Sequence, residues 1–335
     1  MPILFAGLNR RQVAPADRRD SVRHHVHHGR APRGWLIVLL LLVADSSSAE
    51  WFTAAAMPSS RTEVAVAAVG ERIYVVGGFG GGRALEIYDP ATDHWSRGAP
   101  IPQSVHHAAA VALGDSLYVI GGYSGGWEPT GFVFVYDTST DRWQPRASLP
   151  TPRGALAAAV IGGRIHAIGG TGPARRNSAA HEVYDPTKNR WFTLAPLPTP
   201  RDHLAAVVVN DTLYTIGGRR NGSYAHNLAT AETFDPVAGA WQMIASLPTA
   251  RSGIAAAVIG HRIIVVGGEE PAGTFDVVEA YDTRKRNWLQ LPPMPTARHG
   301  LGAAVVDRKL YVIAGGPSPG GSYSSLNEVF VPATD

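Results

Sequence analysis

The chain has 335 residues, carries 30 Lys and Arg against 27 Asp and Glu, and contains no cysteine. Disulfides, thiol nucleophiles and thiolate metal ligands are therefore excluded, and the folded part must be held by burial and closure alone. The net charge of +3 is concentrated in residues 1–49, which hold seven Arg against three Asp; the remaining 23 basic and 24 acidic residues give no basic stripe of the kind nucleic acid requires.

Residues 35–44 form a run of ten apolar residues, preceded by Arg30 and Arg33 and followed by Ser47-Ser48-Ala49. This pattern reads as a secretory leader over 1–49, and the expected location is exported, either periplasmic or extracellular. Ten residues fall short of the ~20 that span a bilayer, so membrane association is expected only if the leader is retained as an anchor. His24, His25, His27 and His28 lie inside this leader and are read as filler rather than as a metal site.

From Glu50 onward the chain repeats. Trp51, Trp95, Trp143, Trp191 and Trp241 each precede a glycine doublet by 26 residues, at Gly77-Gly78, Gly121-Gly122, Gly169-Gly170, Gly217-Gly218 and Gly267-Gly268. Trp288 precedes the degenerate pair Ala314-Gly315 by the same interval. Each unit opens on a proline and usually an arginine, then runs through small apolar residues such as Leu156 to Ile161 or Ile254 to Ile259. These predict a short buried strand. Alanine is a poor strand former, so its persistence there implies crowding where strands converge on an axis. A second apolar strand, as at Ile73 to Val76 or Leu117 to Ile120, ends on the glycine doublet. There a missing side chain permits a sharp turn or the close approach of an aromatic. A third strand carries Glu-x-Tyr-Asp, as at Glu182 to Asp185, and the fourth carries the tryptophan as an anchor between neighbouring sheets.

Tyr88, Tyr136, Tyr184, Phe234 and Tyr281 precede their tryptophans by seven residues, and all variation in unit length falls between doublet and aromatic. Fixed scaffold and drifting loop mark those six loops as the working face. Four strands per unit, in units near 48 residues, predict an all-β, six-bladed propeller in a single domain over 50–335. The units are expected at about 58–98, 102–146, 150–194, 198–244, 248–291 and 295–335, the last completed by 50–57. Trp51 supplies the outer strand that the sixth blade lacks after Phe330, which closes the ring and removes an open edge.

Arg61, Arg153, Arg201, Arg251 and Arg298 recur with Glu86, Glu182, Glu232, Glu279 and Glu328, whereas the second unit has Val105 and Phe134 at both places. Charged and apolar pairs exchange together, which predicts that each Arg touches its Glu inside a blade. These five arginines are expected to be structural.

The glycine doublets, Glu-x-Tyr-Asp and tryptophans at these intervals resemble kelch repeats, and the resemblance spans essentially all of 51–335. It implies a galactose-oxidase-central-domain-like propeller that meets ligands at one mouth. The residues after each doublet, the loop beyond it, and the first residues after the repeat arginine would form that mouth. On this chain the ligand-binding candidates are Tyr123, Trp127, Arg175, Arg176, Arg219, Arg220, Tyr224, Glu269 and His299. Paired arginines suit a carboxylate or phosphate, and the aromatics suit sugar faces or peptide side chains. Glu63, His107, Asp202 and His203 are candidates for acid and base. His299 stands one residue out of phase with His107 and His203, and side chains alternate along a strand, so no metal site is expected. No cofactor is expected either, and without cysteine the copper radical chemistry of galactose oxidase is excluded. The resemblance implies an exported module binding a protein or glycan through these loops. The alternative is a periplasmic sugar-processing enzyme like the sialate mutarotases, which exchange anomers of an acidic sugar with an acid, a base and a carboxylate-binding arginine.

Overall fold

The computed structural model describes residues 48–333; the leader reading over 1–49 and its histidines fall almost entirely outside them. Six four-stranded antiparallel sheets make the six blades of a β-propeller. The innermost strands are Ala65–Val69, Ala109–Leu113, Ala157–Ile161, Ala205–Val209, Ala255–Ile259 and Gly302–Val306. The outermost strand of each blade carries a tryptophan, and in the sixth blade it is the N-terminal strand Glu50–Thr53, paired in register with Asn327–Val331 so that Trp51 faces Phe330. First and last parts of the chain thus close the ring.

The small residues of the inner strands have a direct cause. A Cβ on Gly302 would lie 2.0 Å from the Val66 side chain of the neighbouring blade, so the strands pack too closely there for anything larger.

Three rings of six hydrogen bonds join blade to blade. In the outermost, each tryptophan Nε1–H donates to a carbonyl of the preceding blade, at 2.7–3.0 Å: Trp95 to Ala55, Trp143 to Ala99, Trp191 to Ala147, Trp241 to Ala195, Trp288 to Ala245 and Trp51 to Pro292. In the second, the N–H of Gly78, Gly122, Gly170, Gly218, Gly268 and Gly315 donates to the carbonyl at the arginine position of the following blade, Val105 in the second. This explains the doublet: a Cβ on Gly77 would lie 2.2 Å from the Val105 oxygen, and its φ is +59°. The close neighbour is a backbone carbonyl, not an aromatic ring. In the innermost ring, Glu63, His107, Ala155, His203, Gly253 and Gly300 each donate their N–H to the equivalent carbonyl of the preceding blade, at 2.7–3.2 Å, and the circle closes from Glu63 to Gly300.

The five arginine–glutamate pairs form as the sequence pattern predicts. Arg61–Glu86 meet at 2.8 Å, Arg153–Glu182 at 2.5 Å and Arg298–Glu328 at 2.9 Å, and Arg201–Glu232 and Arg251–Glu279 are in direct contact. All five arginines are fully buried. In the second blade Val105 and Phe134 join one apolar cluster with Tyr74 and Tyr136 instead. Among the described residues no helix is long and apolar enough to cross a membrane.

Candidate functional site

The innermost ring builds the floor of one mouth of the propeller. All six of its residues have positive φ, between 51° and 65°. Glycine holds that conformation at no steric cost, yet four of the six positions carry side chains, and three of those are Glu63, His107 and His203. The residue before each ring member, Thr62, His106, Gly154, Asp202, Ser252 or His299, is bridged to the residue after a doublet: Phe79, Tyr123, Thr171, Arg219, Glu269 or Gly316. The sequence therefore brings two successive residues of each blade entry to the mouth.

This geometry overturns the expectation that His299 points away from the other histidines. Strand alternation does not apply, because Gly300 turns the chain through the left-handed region. The His299 ring lies in the same cavity as Glu63 and Glu269, its Nε2 3.8 and 3.7 Å from their carboxylates and its Nδ1 3.1 Å from the Gly316 carbonyl.

The cavity measures about 510 Å3. Ten of the thirteen candidate residues line it: Glu63, His107, Tyr123, Trp127, Arg175, His203, Arg219, Tyr224, Glu269 and His299. Phe79 and Tyr323, not among those candidates, complete an aromatic wall. Three candidates lie elsewhere. Arg176 and Arg220 are exposed and do not line the cavity, so each arginine pair contributes one guanidinium and not two. Asp202 is fully buried behind the lining.

Asp202 is also saturated with donors. It accepts from His203 Nδ1 at 2.5 Å, Arg219 Nε at 3.2 Å, the Gly222 amide at 3.3 Å and the Asn177 side chain. Burial opposes its ionised form, but the His203 ring, Arg219 and Asn177 together outweigh it and hold the carboxyl down at about 2. Its oxygens hold the His203 ring and the Arg219 guanidinium in place. His203 is fixed in turn: Nδ1–H faces Asp202, while Nε2 accepts from Arg219 Nη2 at 2.8 Å. Arg219 also donates to Glu269 at 2.6 Å. The longest loop thus brings a guanidinium that is already neutralised, not a free anion fork. Burial opposes ionisation of Glu269 as well, yet His299, Arg219 and the Gly320 amide lower it.

The Glu63 carboxylate and His107 Nε2 make no side-chain hydrogen bond among the described residues, while His107 Nδ1 meets His106. His107 Nε2 stands 3.3 Å from Glu63 Oε2 inside the cavity. Burial, followed by the neighbouring His203, His106, Arg219 and His299, pushes the His107 imidazolium well below the ordinary histidine range. At the rim, Arg175 lies 5.6 Å over the Trp127 ring and makes no ion pair among the described residues. Trp127 is half exposed.

Two trios among the described residues bring His and Glu ligand atoms within 4.8 Å of one another: Glu63, His107 and His203, and Glu63, Glu269 and His299. In the first, both nitrogens of His203 are engaged by Asp202 and Arg219, which leaves it no lone pair for an ion. The second keeps His299 Nε2 open between two carboxylates.

Fold and site together define a six-bladed propeller with a cavity at its mouth lined by charged and aromatic side chains. The chain belongs to the kelch-repeat family: residues 38–170 and 105–316 match the KLHDC2/KLHL20/DRC7 Kelch-repeats domain. Among solved structures, that of YjhT is similar with a TM-score of 0.75 at 16% identity, over 84% of this chain and 97% of that one, a likeness of fold. No curated protein matches the chain.

Proposed function

We propose that the mouth cavity binds a small acidic sugar and that the Glu63–His107 pair exchanges a proton with it, so that the protein catalyses anomer exchange. The observation that carries this reading is the placement of a carboxylate and an imidazole 3.3 Å apart at the floor of the mouth cavity. Ring opening and closing of a sugar needs a base at the anomeric hydroxyl and an acid at the ring oxygen, and two such groups facing one ligand suffice. The cavity volume falls in the range of small-ligand sites, which is roughly 300–1,000 Å3. Phe79, Tyr123, Trp127, Tyr224 and Tyr323 offer apolar faces to sugar C–H groups. Arg175 offers a guanidinium for the sugar carboxylate, since Arg219 is committed to Asp202 and Glu269. Export by the 1–49 leader belongs to the same proposal, and N-terminal sequencing of the secreted protein checks it.

Thermal shift against acidic and neutral sugars tests the reading. A ligand at 100 times its Kd stabilises by ~2.7 kcal/mol. The expected result is a shift with acidic sugars that Arg175→Ala removes. If no sugar shifts the protein, the exposed Trp127 and Tyr323 at the rim favour a protein partner instead, to be sought by pull-down.

A further inference from the structure

His107 is not alone in its hydrogen-bond chain. Its Nδ1 lies 2.6 Å from Nδ1 of His106, and His106 Nε2 lies 2.7 Å from the Gly126 carbonyl on the rim loop. His106 is held in place by stacking on Phe79, with ring centroids 4.1 Å apart, and by Tyr123 at 5.4 Å. The protons in this chain can be counted. A carbonyl only accepts, so His106 Nε2 carries hydrogen. With His106 neutral, its Nδ1 is then a lone pair, and the facing His107 Nδ1 must be the donor. That leaves the His107 Nε2 lone pair facing the cavity, 3.3 Å from a Glu63 carboxylate oxygen with which it makes no hydrogen bond. The two hydrogen bonds of this chain take up the two protons that two neutral rings supply.

We infer that His106 is a positioning residue that fixes His107 as the Nδ1–H tautomer, so that His107 presents its Nε2 lone pair, beside the Glu63 carboxylate, to a ligand in the cavity. In the chemistry of the site that lone pair takes the proton of the anomeric hydroxyl, the Glu63 carboxylate stabilises the imidazolium so formed, and the imidazolium gives the proton to the ring oxygen as the ring opens, closure running the same steps in reverse. Bonds and charge balance over the cycle, with no other reactant. The arrangement also links the rim loop to the floor: the Gly126 carbonyl that anchors the chain adjoins Trp127 in the cavity lining. The other charged or titratable groups facing His107 are His203, Arg219 and His299. His203 and Arg219 are already bonded to Asp202, and His299 lies nearer to Glu63 and Glu269.

The catalytic consequence rests on the anomer-exchange reading, but the tautomers do not, so they are read first in the resting full-length protein. Nitrogen-15 NMR of the imidazole rings should show His106 as Nε2–H and His107 as Nδ1–H, with His107 Nε2 at the shift of a lone pair. His106→Phe keeps the stack on Phe79 but removes the acceptor, so His107 should revert to Nε2–H. His106→Asn, whose Oδ1 replaces the lost Nδ1 acceptor, should restore it. In an anomer-exchange assay His106→Phe should lower kcat by about 100-fold with little change in KM and shift the acid limb of the pH profile, and His106→Asn should recover most of the loss. The inference is overturned if wild-type His107 is the Nε2–H tautomer, if His106→Phe leaves its nitrogen shifts unchanged, or if stoichiometric zinc is found on Glu63 and removing it restores a plain Nε2–H ring. Should His106→Phe fail to fold, the wild-type spectrum decides alone. If the tautomers are as stated and no sugar is turned over, the positioning stands and the anomer-exchange reading falls.

Discussion

Two sets of buried charges lie a few residues apart around the propeller, and they are organised in opposite ways. In the framework each arginine meets one glutamate, and Thr151, Thr199, Thr249 and Thr296 each add a hydroxyl to the same carboxylate in their own blades. Charge balances within the blade. At the mouth nothing balances by pairs: Arg219 serves Asp202, Glu269 and His203 at once, and Glu63 faces two histidines. Framework charges are paired one to one inside their blades, although Arg153 Nε and Arg298 Nε and Nη1 find no hydrogen-bond partner, whereas the mouth charges share partners across blades.

The same contrast explains what can be read from the sequence. The framework is legible because it repeats: the exchange of Arg and Glu for Val105 and Phe134 in one blade reveals a contact between residues 29 positions apart. Closure through Trp51 shows in the register, since Trp51 lies opposite Phe330 as the other tryptophans lie opposite their aromatics. The mouth is legible only as a set of positions, because function lives where repeats differ. One backbone position, repeated around the axis with positive φ, holds Glu, His, Ala, His, Gly and Gly. Sequence spacing does not show that this turn abolishes strand alternation, which is why it misplaces His299. Nor does it show that Arg219 spends its charge on Asp202 and Glu269 while Arg176 and Arg220 face away from the cavity. Nothing in the sequence singles out His106 from the other entry residues, since only the geometry reveals its bond to His107.

Opening the ring should do the most damage to the framework. Deleting residues 50–57 removes a whole strand pairing and the Trp51 bond to Pro292, and should abolish the cooperative melt; an unchanged Tm would contradict closure. Next are the buried pairs within the blades. Glu232→Ala strands the fully buried Arg201 and should cost about 3–5 kcal/mol, while the double change Arg201→Val with Glu232→Phe, copying the second blade, should recover most of it. Equal losses in chemical denaturation for the single and double variants would show that the pair is not a unit.

A smaller effect comes from a buried pair outside the mouth. His166 and His181, joined at 2.9 Å, are lowered by burial to about 4 and about 3, with Arg164 adding to the first and His166 to the second. The unfolded rings bind protons near 6.5, so between there and pH 4 the unfolded state holds more protons and stability rises with pH. Full stability is present above about pH 6.5, and each ring should cost about 1.4 kcal/mol per pH unit below it. Replacing both by Leu should flatten the dependence of Tm over pH 7 to 5; His106 and His107 retain a residual slope of the same sign. Smallest is the rim: Arg175→Ala should leave Tm of the free protein unchanged and weaken binding of an acidic sugar about tenfold, ~1.4 kcal/mol. Equal weakening for a neutral sugar would show that the guanidinium acts by stacking on Trp127 and not by charge.

The most direct test is anomer exchange itself, followed by NMR saturation transfer between the α and β forms of an acidic sugar with the wild-type protein and with Glu63→Gln. Wild type should exchange the anomers well above the spontaneous rate, and Glu63→Gln should lose that excess while still binding the sugar. Exchange at the spontaneous rate in wild type, with the sugar demonstrably bound, would contradict acid–base action by the Glu63–His107 pair and leave the propeller a binding module.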